Sequence, residues 1–404
     1  MALGAPLDAP SLFLSYIVNT ARAALEQIEA TGAALPADED RDLALHSLDY
    51  ALKLPDAWSV TGSLLTALAP KMERAGYRHD WIAYLDAGID ASQQCGDQAT
   101  EAELRLQKGI LHQLLAEYHE ADGEYLLSEA GFAALPDQRA LARVLNRRAF
   151  VARRQGRHAD AERLAASAMA LLAADDAELG YTYQVLGTIA YDRMQWQEAA
   201  RCFRLSLDLL RQGDDRRLQG WAHSNLGLAL WQTGDMAGAE AQLLQAIDLF
   251  ALIGDPIHQS VARMNLGNVL VARGELEQAL LVYGEAEAVF RKAHDIERLA
   301  SVNNNIGKVC RDLGRPAEAL PFCRQAVSYY QQTRQPAELV IASESLGETL
   351  LALEDWSGAA ETFLTALDRL PTVENEDWRA ETAERINGYL QQIDQQAGTL
   401  SSAD

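Results

Sequence analysis

The amino-acid sequence predicts an all-α fold: an α-solenoid in which antiparallel helix pairs stack into a right-handed superhelix. The composition favours helices, because the 404 residues include only 11 prolines and 7% aromatic residues, while Ala, Leu, Gln and Glu are abundant. The stretch from Trp221 to Phe250 also recurs before and after itself with a period of about 40 residues. Each copy contains two amphipathic helical patterns that cannot bury their apolar faces alone, so neighbouring copies must stack.

Two columns of small residues define this period. The first, inside the first helix of each pair, is Gly109, Ala149, Gly187, Gly227, Gly267, Gly307 and Gly347, spaced by 40, 38, 40, 40, 40 and 40 residues. The second, inside the second helix, is Ala121, Ala161, Ala199, Ala239, Ala279, Ala319 and Ala359. Glycine inside a helix costs about 1 kcal/mol relative to alanine. The columns therefore predict that the two helices of each pair cross closely at these positions.

A column of aspartates marks the predicted helix starts. It comprises Asp97, Asp137, Asp175, Asp215, Asp255 and Asp295, and Gln335 interrupts it. A carboxylate at this point can accept the free amide hydrogens of the first helical turn. We interpret these residues as helix N-caps and not as metal ligands or catalytic groups.

The repeat period also defines the segments that precede and follow the regular repeats. In the degenerate first repeat, Pro70 should kink or end the first helix. The N-terminal helices are predicted to cap the first repeat, or alternatively to form a separate effector-binding module. The predicted organisation is an N-terminal helical cap at 1–56, a degenerate repeat at 57–96, seven repeats at 97–370, a capping helix at 371–396 and a disordered tail at 397–404.

Charge and cysteine usage restrict the function. The 35 Lys and Arg against 58 Asp and Glu give a net charge of −23, which repels nucleic acids and anionic membranes. The four cysteines show no paired spacing, and the eight histidines show no spacing typical of metal ligands. We expect a cytoplasmic protein with free thiols and without a cofactor or metal, because a signal peptide is also not recognisable.

The small-residue columns and the turn glycines Gly156, Gly234, Gly274 and Gly314 make residues 57–370 resemble the tetratricopeptide repeat (TPR) family. The "NLG" at 225–227 and 265–267 resembles the longer repeats of kinesin light chains, bacterial signal-transduction ATPase sensor arrays and Rap-type peptide sensors. The resemblance implies a concave groove that binds a peptide or a partner protein. In these families, groove asparagines hold bound peptides.

The groove face of the first helices supplies the candidate binding residues. Asparagine is a poor helix former, but its amide can both donate to and accept from a peptide backbone. The alternatives are that the asparagines bridge neighbouring repeats and that the tryptophans pack between helices. From the second to the sixth repeat, this face carries six basic against two acidic residues. The candidates are Arg143, Asn146, Arg147, Tyr181, Gln184, Trp221, Asn225, Trp231, Asn265, Asn268, Asn304, Asn305, Lys308 and Arg311.

No catalytic signature is present in the sequence. It lacks a Walker A sequence, GxSxG and HExxH, and Glu344, Ser345 and Glu348 stand where a carboxylate clamp for chaperone tails would need cations. We therefore predict a non-enzymatic scaffold or adaptor that binds a peptide segment or partner protein. The alternative is a regulator whose superhelix changes shape when a ligand or signal peptide binds.

Overall fold

The computed structural model describes residues 9–32, 34–211, 213–373 and 375–401, and all regular structure in these residues is helical. The chain divides into two compact units, Met1–Arg193 and Met194–Asp404. The helices of the first unit are α1 Ala9–Ala30, α2 Asp38–Ala51, α3 Trp58–Ala75, α4 Arg78–Cys95, α5 Gln98–Leu114, α6 Tyr118–Ala133, α7 Gln138–Arg154, α8 His158–Leu171 and α9 Glu178–Asp192.

The described residues of the second unit form ten further α-helices. These are α10 Trp196–Leu210, α11 Arg216–Gln232, α12 Met236–Leu252, α13 Pro256–Ala272, α14 Leu276–Lys292, α15 Ile296–Asp312, α16 Pro316–Thr333, α17 Pro336–Ala352, α18 Trp356–Arg369 and α19 Glu376–Ser401. Short 3-10 helices cover Pro55–Ala57 and Leu370–Thr372. Consecutive helices pack against each other within each unit, which confirms the all-α solenoid class. None of the described helices combines the length and apolarity that a membrane-spanning segment needs.

The close helix crossings are confirmed. A Cβ atom added to Gly109 would lie 2.4 Å from the Tyr125 ring, and one added to Gly267 would lie 2.3 Å from the Tyr283 ring. All seven residues of the alanine column are fully buried. The small residues thus let each second helix press an aromatic, leucine or cysteine side chain against the first helix.

The aspartate column caps five of the six predicted helices. The side chains of Asp97, Asp137, Asp215, Asp255 and Asp295 each accept a hydrogen bond from the amide three residues on. The prediction for Asp175 is wrong, since α9 begins at Glu178 and Asp176 accepts the Glu178 amide at 2.8 Å. Asp175 lies in a backbone turn closed by a hydrogen bond from the Asp176 amide to the Ala173 carbonyl, so the helix does not start directly after it.

The first unit begins with α1 and α2, which share an apolar core with α3 and α4 that includes Ile28 and Leu64. Lys71 ties the turn after α1 to α3, because its buried ammonium donates to Thr31 Oγ1 at 2.6 Å and to the Gly32 carbonyl at 2.7 Å. Contrary to one predicted outcome, α3 does not end at Pro70 but continues to Ala75. Buried side chains before and after the proline hold the helix against the core.

The second unit ends with α19, which buries Ile386 and Ile393 in a core shared with α18. The Phe363 and Tyr389 rings stack with their centroids 4.9 Å apart. The helix is described as far as Ser401, five residues beyond its predicted end, and residues 402–404 of the predicted tail lie outside the described residues.

Candidate functional site

In the second unit, one side of α11, α13 and α15 carries half-buried apolar and amide side chains. We call this surface the central face; it comprises Trp221, Asn225, Leu228, Trp231, Val261, Met264, Asn268, Val271 and Asn305. These side chains lie on the side of their helices away from the buried glycine column. The local sequence therefore sorts each helix into a packing side and a partly exposed side.

Hydrogen bonds made by asparagine side chains connect neighbouring helices at this face. Asn305 Nδ2 donates to Asn268 Oδ1 at 3.2 Å, and the Tyr283 hydroxyl donates to the same oxygen at 2.6 Å. The buried Asn265 donates to Ser224 Oγ at 3.5 Å. These contacts match the alternative that the asparagines bridge repeats. Among the described residues, however, Asn268 Nδ2 donates to no group and Asn305 Oδ1 accepts from none, so both retain capacity for a ligand.

The two tryptophans differ in their surroundings. Trp221 lies edge-on to the His258 ring with centroids 5.4 Å apart, and the Arg217 guanidinium lies 5.2 Å from the Trp221 ring. Trp231 is half-buried and makes no ring contact or hydrogen bond with the rest of the described chain. Trp221 therefore serves packing between helices, and Trp231 is the better candidate for a contact with a partner.

Some predicted groove residues are buried between helices. Asn304 is only 7% exposed, and its Oδ1 accepts no hydrogen bond from any described residue. In the first unit, Asn146 is fully buried and donates to Glu178 Oε1 at 2.8 Å, while Tyr181 and Gln184 are 7% and 6% exposed. The structure differs here from the expectation that these side chains project into a groove, because their positions on the helix face the adjacent first helix.

The arginines of α7 are engaged by groups of the same unit. Arg143 pairs with Glu103 at 3.2 Å, and Arg153 forms two hydrogen bonds with Asp192 at 2.7 and 2.8 Å. Arg147 donates to the Tyr181 hydroxyl at 2.8 Å and lies 4.3 Å from the centre of that ring. Burial raises the pKa of the Tyr181 phenol, although the nearby Arg147 opposes this shift. The predicted local excess of positive charge is therefore partly neutralised in the first unit.

A cavity of about 370 Å³ lies between α15, α17 and α19, and we call it the α15–α19 cavity. It is lined by Lys308, Arg311, Asp312, Ile341, Glu344, Ser345, Glu348, Trp378 and Arg385. Arg311 pairs with Glu348 at 2.9 Å and donates to the Ser345 carbonyl at 3.2 Å. The structure thus brings the two predicted cations, Lys308 and Arg311, together in one cavity.

Among the lining residues of this cavity that sequence reasoning missed are Trp378 and Arg385. Both belong to α19, which does not carry the small-residue columns and was interpreted only as a cap. A signal for one of them existed, because Arg385 stands 40 residues after Ser345, in the column of Asn225, Asn265 and Asn305. Extending the period past residue 370 would have assigned Arg385 to the groove.

Comparisons with known proteins agree with this architecture. The tetratricopeptide repeat family matches residues 178–251, 218–292 and 298–372. No curated protein sequence matches the chain.

Several solved structures share the fold. A signal-transduction ATPase with a tetratricopeptide repeat sensor from Pyrococcus horikoshii is 14% identical with a TM-score of 0.63, covering 87% of this chain and 55% of that protein. The apo quorum sensor NprR from B. thuringiensis is 16% identical with a TM-score of 0.59, covering 80% and 89%. Aspartyl phosphate phosphatase F from Bacillus subtilis is 14% identical with a TM-score of 0.54, covering 91% and 96%.

At these identities the solved structures support the fold alone, whereas the family match identifies the repeats themselves. The repeat period, the glycine and alanine columns and this match lead to one conclusion: residues 178–372 of the chain are built from tetratricopeptide repeats.

Proposed function

We propose that the protein is a non-enzymatic adaptor whose second unit binds an extended peptide segment of a partner across the central face. The observation that carries this proposal is that the central face combines the half-exposed Trp231 with amides that have unused hydrogen-bonding capacity. Large aromatic side chains in such positions often dominate the energy of protein interfaces.

The apolar side chains of the central face would hold the side chains of the peptide. Leu228, Trp231, Met264 and Val271 are each half-buried, so each still exposes apolar surface to water. Covering this surface contributes roughly 25 cal/mol for each Å² removed from water. Methionine adapts its shape to different partners, which suits a site that accepts a range of apolar side chains.

The amides of the central face would bind the backbone of the peptide. Asn268 offers two N–H donors and Asn305 offers a carbonyl acceptor, and an extended peptide needs both kinds of group. Backbone contacts give affinity without requiring one sequence, whereas the apolar contacts select side chains. This division of roles suits an adaptor, and the net charge of −23 disfavours nucleic acid as the partner.

The alternative function is a sensor in which ligand binding changes the packing of the helices. The bridging hydrogen bonds of Asn268 support this alternative, because a ligand could compete for the same oxygen. One solved structure with a similar fold is a quorum sensor, which supports considering this alternative. A shape change requires that the ligand bind the two conformations with different affinities.

The test begins with selection of peptides from a random display library on the full chain. A selected peptide, synthesised with a fluorescent label, is then titrated by fluorescence anisotropy. Trp231→Ala should weaken binding at least about tenfold, since aromatic anchors contribute about 2 kcal/mol or more. Asn268→Ala combined with Asn305→Ala should also weaken it, with helicity unchanged by circular dichroism.

The matched control is Leu281→Ala, which truncates a side chain that is 66% exposed on α14, outside the central face. This variant should bind as the wild type does. Wild-type affinity in both the Trp231 and the asparagine variants would refute the proposal. Small-angle scattering with and without the peptide then separates the two functions, because a sensor should change its radius of gyration.

A further inference from the structure

The α15–α19 cavity contains six charged side chains, of which four neutralise one another. Arg311 pairs with Glu348 at 2.9 Å, and Arg385 Nη2 donates to Glu344 Oε2 at 2.9 Å. The Tyr389 hydroxyl also donates to Glu348. These groups already have partners, so they define the walls of the cavity, and the two α17 carboxylates that line it are not available to another cation.

Lys308 and Asp312 are the two charges that remain. They lie one helical turn apart on α15, yet they do not form an ion pair with each other. Within the described residues neither makes a hydrogen bond or ion pair with any other group. The cavity therefore presents the half-buried Lys308 and the solvent-exposed Asp312 as a cation and an anion one helical turn apart, both available to a ligand.

The rest of the lining and the size of the cavity limit what could occupy it. Ile341 and Trp378 supply an aliphatic and an aromatic wall. The volume of about 370 Å³ is near the lower end of the range of about 300–1,000 Å³ found for ligand pockets. Such a space accommodates one small molecule and not a folded segment.

From this geometry we propose that the α15–α19 cavity binds a free α-amino acid with an apolar side chain. Lys308 binds the carboxylate, Asp312 binds the ammonium group, and Ile341 and Trp378 contact the side chain. The two charged groups of an amino acid are attached to one carbon and lie about 3 Å apart. Charge-assisted hydrogen bonds of about 2.8 Å on each side let a single molecule connect two residues one helical turn apart.

This cavity shares no lining residue with the central face, and its proposal does not depend on peptide binding there. The ligand class also explains why two opposite charges one turn apart are both left unpaired. An acidic ligand would need only Lys308, and a basic ligand would need only Asp312. A zwitterion uses both.

The test measures binding of L-leucine, L-methionine and L-phenylalanine to the full chain by isothermal titration calorimetry. We expect at least one of them to bind, whereas its N-acetyl derivative and its amide should each bind at least tenfold more weakly. Lys308→Gln and Asp312→Asn should each weaken binding of the free amino acid at least tenfold. Both changes nearly preserve side-chain size, and circular dichroism verifies that the variants remain folded.

Two control variants make the test specific. Lys292→Gln removes an exposed lysine at the end of α14 and should bind the amino acid as the wild type does. Trp231→Ala should also leave amino-acid binding unchanged, which separates this site from the central face. The proposal is overturned if none of the three amino acids binds at 10 mM, if the N-acetyl derivative binds equally well, or if Lys308→Gln retains full affinity.

Discussion

The substitution Gly267→Ala tests whether the glycine column exists to let helices approach each other. The new Cβ atom would lie 2.3 Å from Cε1 of Tyr283, whereas relaxed carbon contacts are about 3.5–4.0 Å. The Tyr283 ring is only 1% exposed, and its hydroxyl is held by Asn268 Oδ1 at 2.6 Å. The ring must therefore move by more than 1 Å within a packed core.

The expected magnitude combines three contributions. Overpacking of a core costs about 1–3 kcal/mol, and loss of the tyrosine hydrogen bond costs about 1 kcal/mol. Replacing glycine with alanine inside a helix returns about 1 kcal/mol. We expect Gly267→Ala to lower the free energy of unfolding by about 1–3 kcal/mol.

Gly284 provides the matched control in the same unit. It also lies inside a helix, but a Cβ atom added there would meet nothing within 4 Å. Gly284→Ala should therefore stabilise the protein by about 0.5–1 kcal/mol. Urea denaturation followed by circular dichroism should move the two midpoints in opposite directions. A midpoint of Gly267→Ala at or above the wild-type value would refute the packing argument.

Two further predictions follow from the caps and from one histidine. Asp215→Ala should lower the free energy of unfolding by about 1 kcal/mol, because it removes the cap of α11. Asp175→Ala removes no cap and should stay within about 0.5 kcal/mol of wild type. Equal losses for the two variants in urea denaturation would contradict this assignment of the caps. Burial lowers the pKa of His223 despite its hydrogen bond to Gln242. Its folded-state pKa thus lies below the unfolded value of about 6.5, so the free energy of unfolding should decrease as the pH falls below about 6.5. Between pH 7.5 and 5.5, the urea denaturation midpoint of His223→Gln should decrease less than the wild-type midpoint does. The same pH dependence in both proteins would contradict this reasoning.

The repeat period predicted the packing well because each small residue reports a contact that recurs in every pair. Gly267 and Ala279 are required by the crossing of α13 and α14, so the spacing alone identifies that crossing. Where the spacing shortens, as before α9, the same logic assigned the cap to Asp175, which does not cap the helix.

The binding residues were harder to predict because a helical position defines a direction but not what the next helix places there. Asn146 and Asn305 occupy adjacent columns of the same face, yet the first is fully buried against Glu178 and the second is half-exposed. Of the two α19 residues in the cavity wall, Arg385 continues a column, whereas Trp378 stands outside every column and could not be predicted from them. Distances between helices decide these cases, and the sequence does not contain them directly.

The hydrogen bond between the Tyr283 hydroxyl and Asn268 Oδ1 allows an experiment that distinguishes an adaptor from a sensor. Its hydroxyl donates to Asn268 Oδ1, while Asn268 Nδ2 has no acceptor among the described residues. An adaptor ligand would use only the free Nδ2, so Tyr283→Phe should leave peptide affinity unchanged. A sensor ligand that takes Oδ1 must first displace the hydroxyl, and Tyr283→Phe should then raise its affinity about fivefold, since the lost bond is worth about 1 kcal/mol. Anisotropy titration of the selected peptide against both proteins measures the difference, and weaker binding to Tyr283→Phe would refute both accounts because neither assigns the hydroxyl a contact with the ligand.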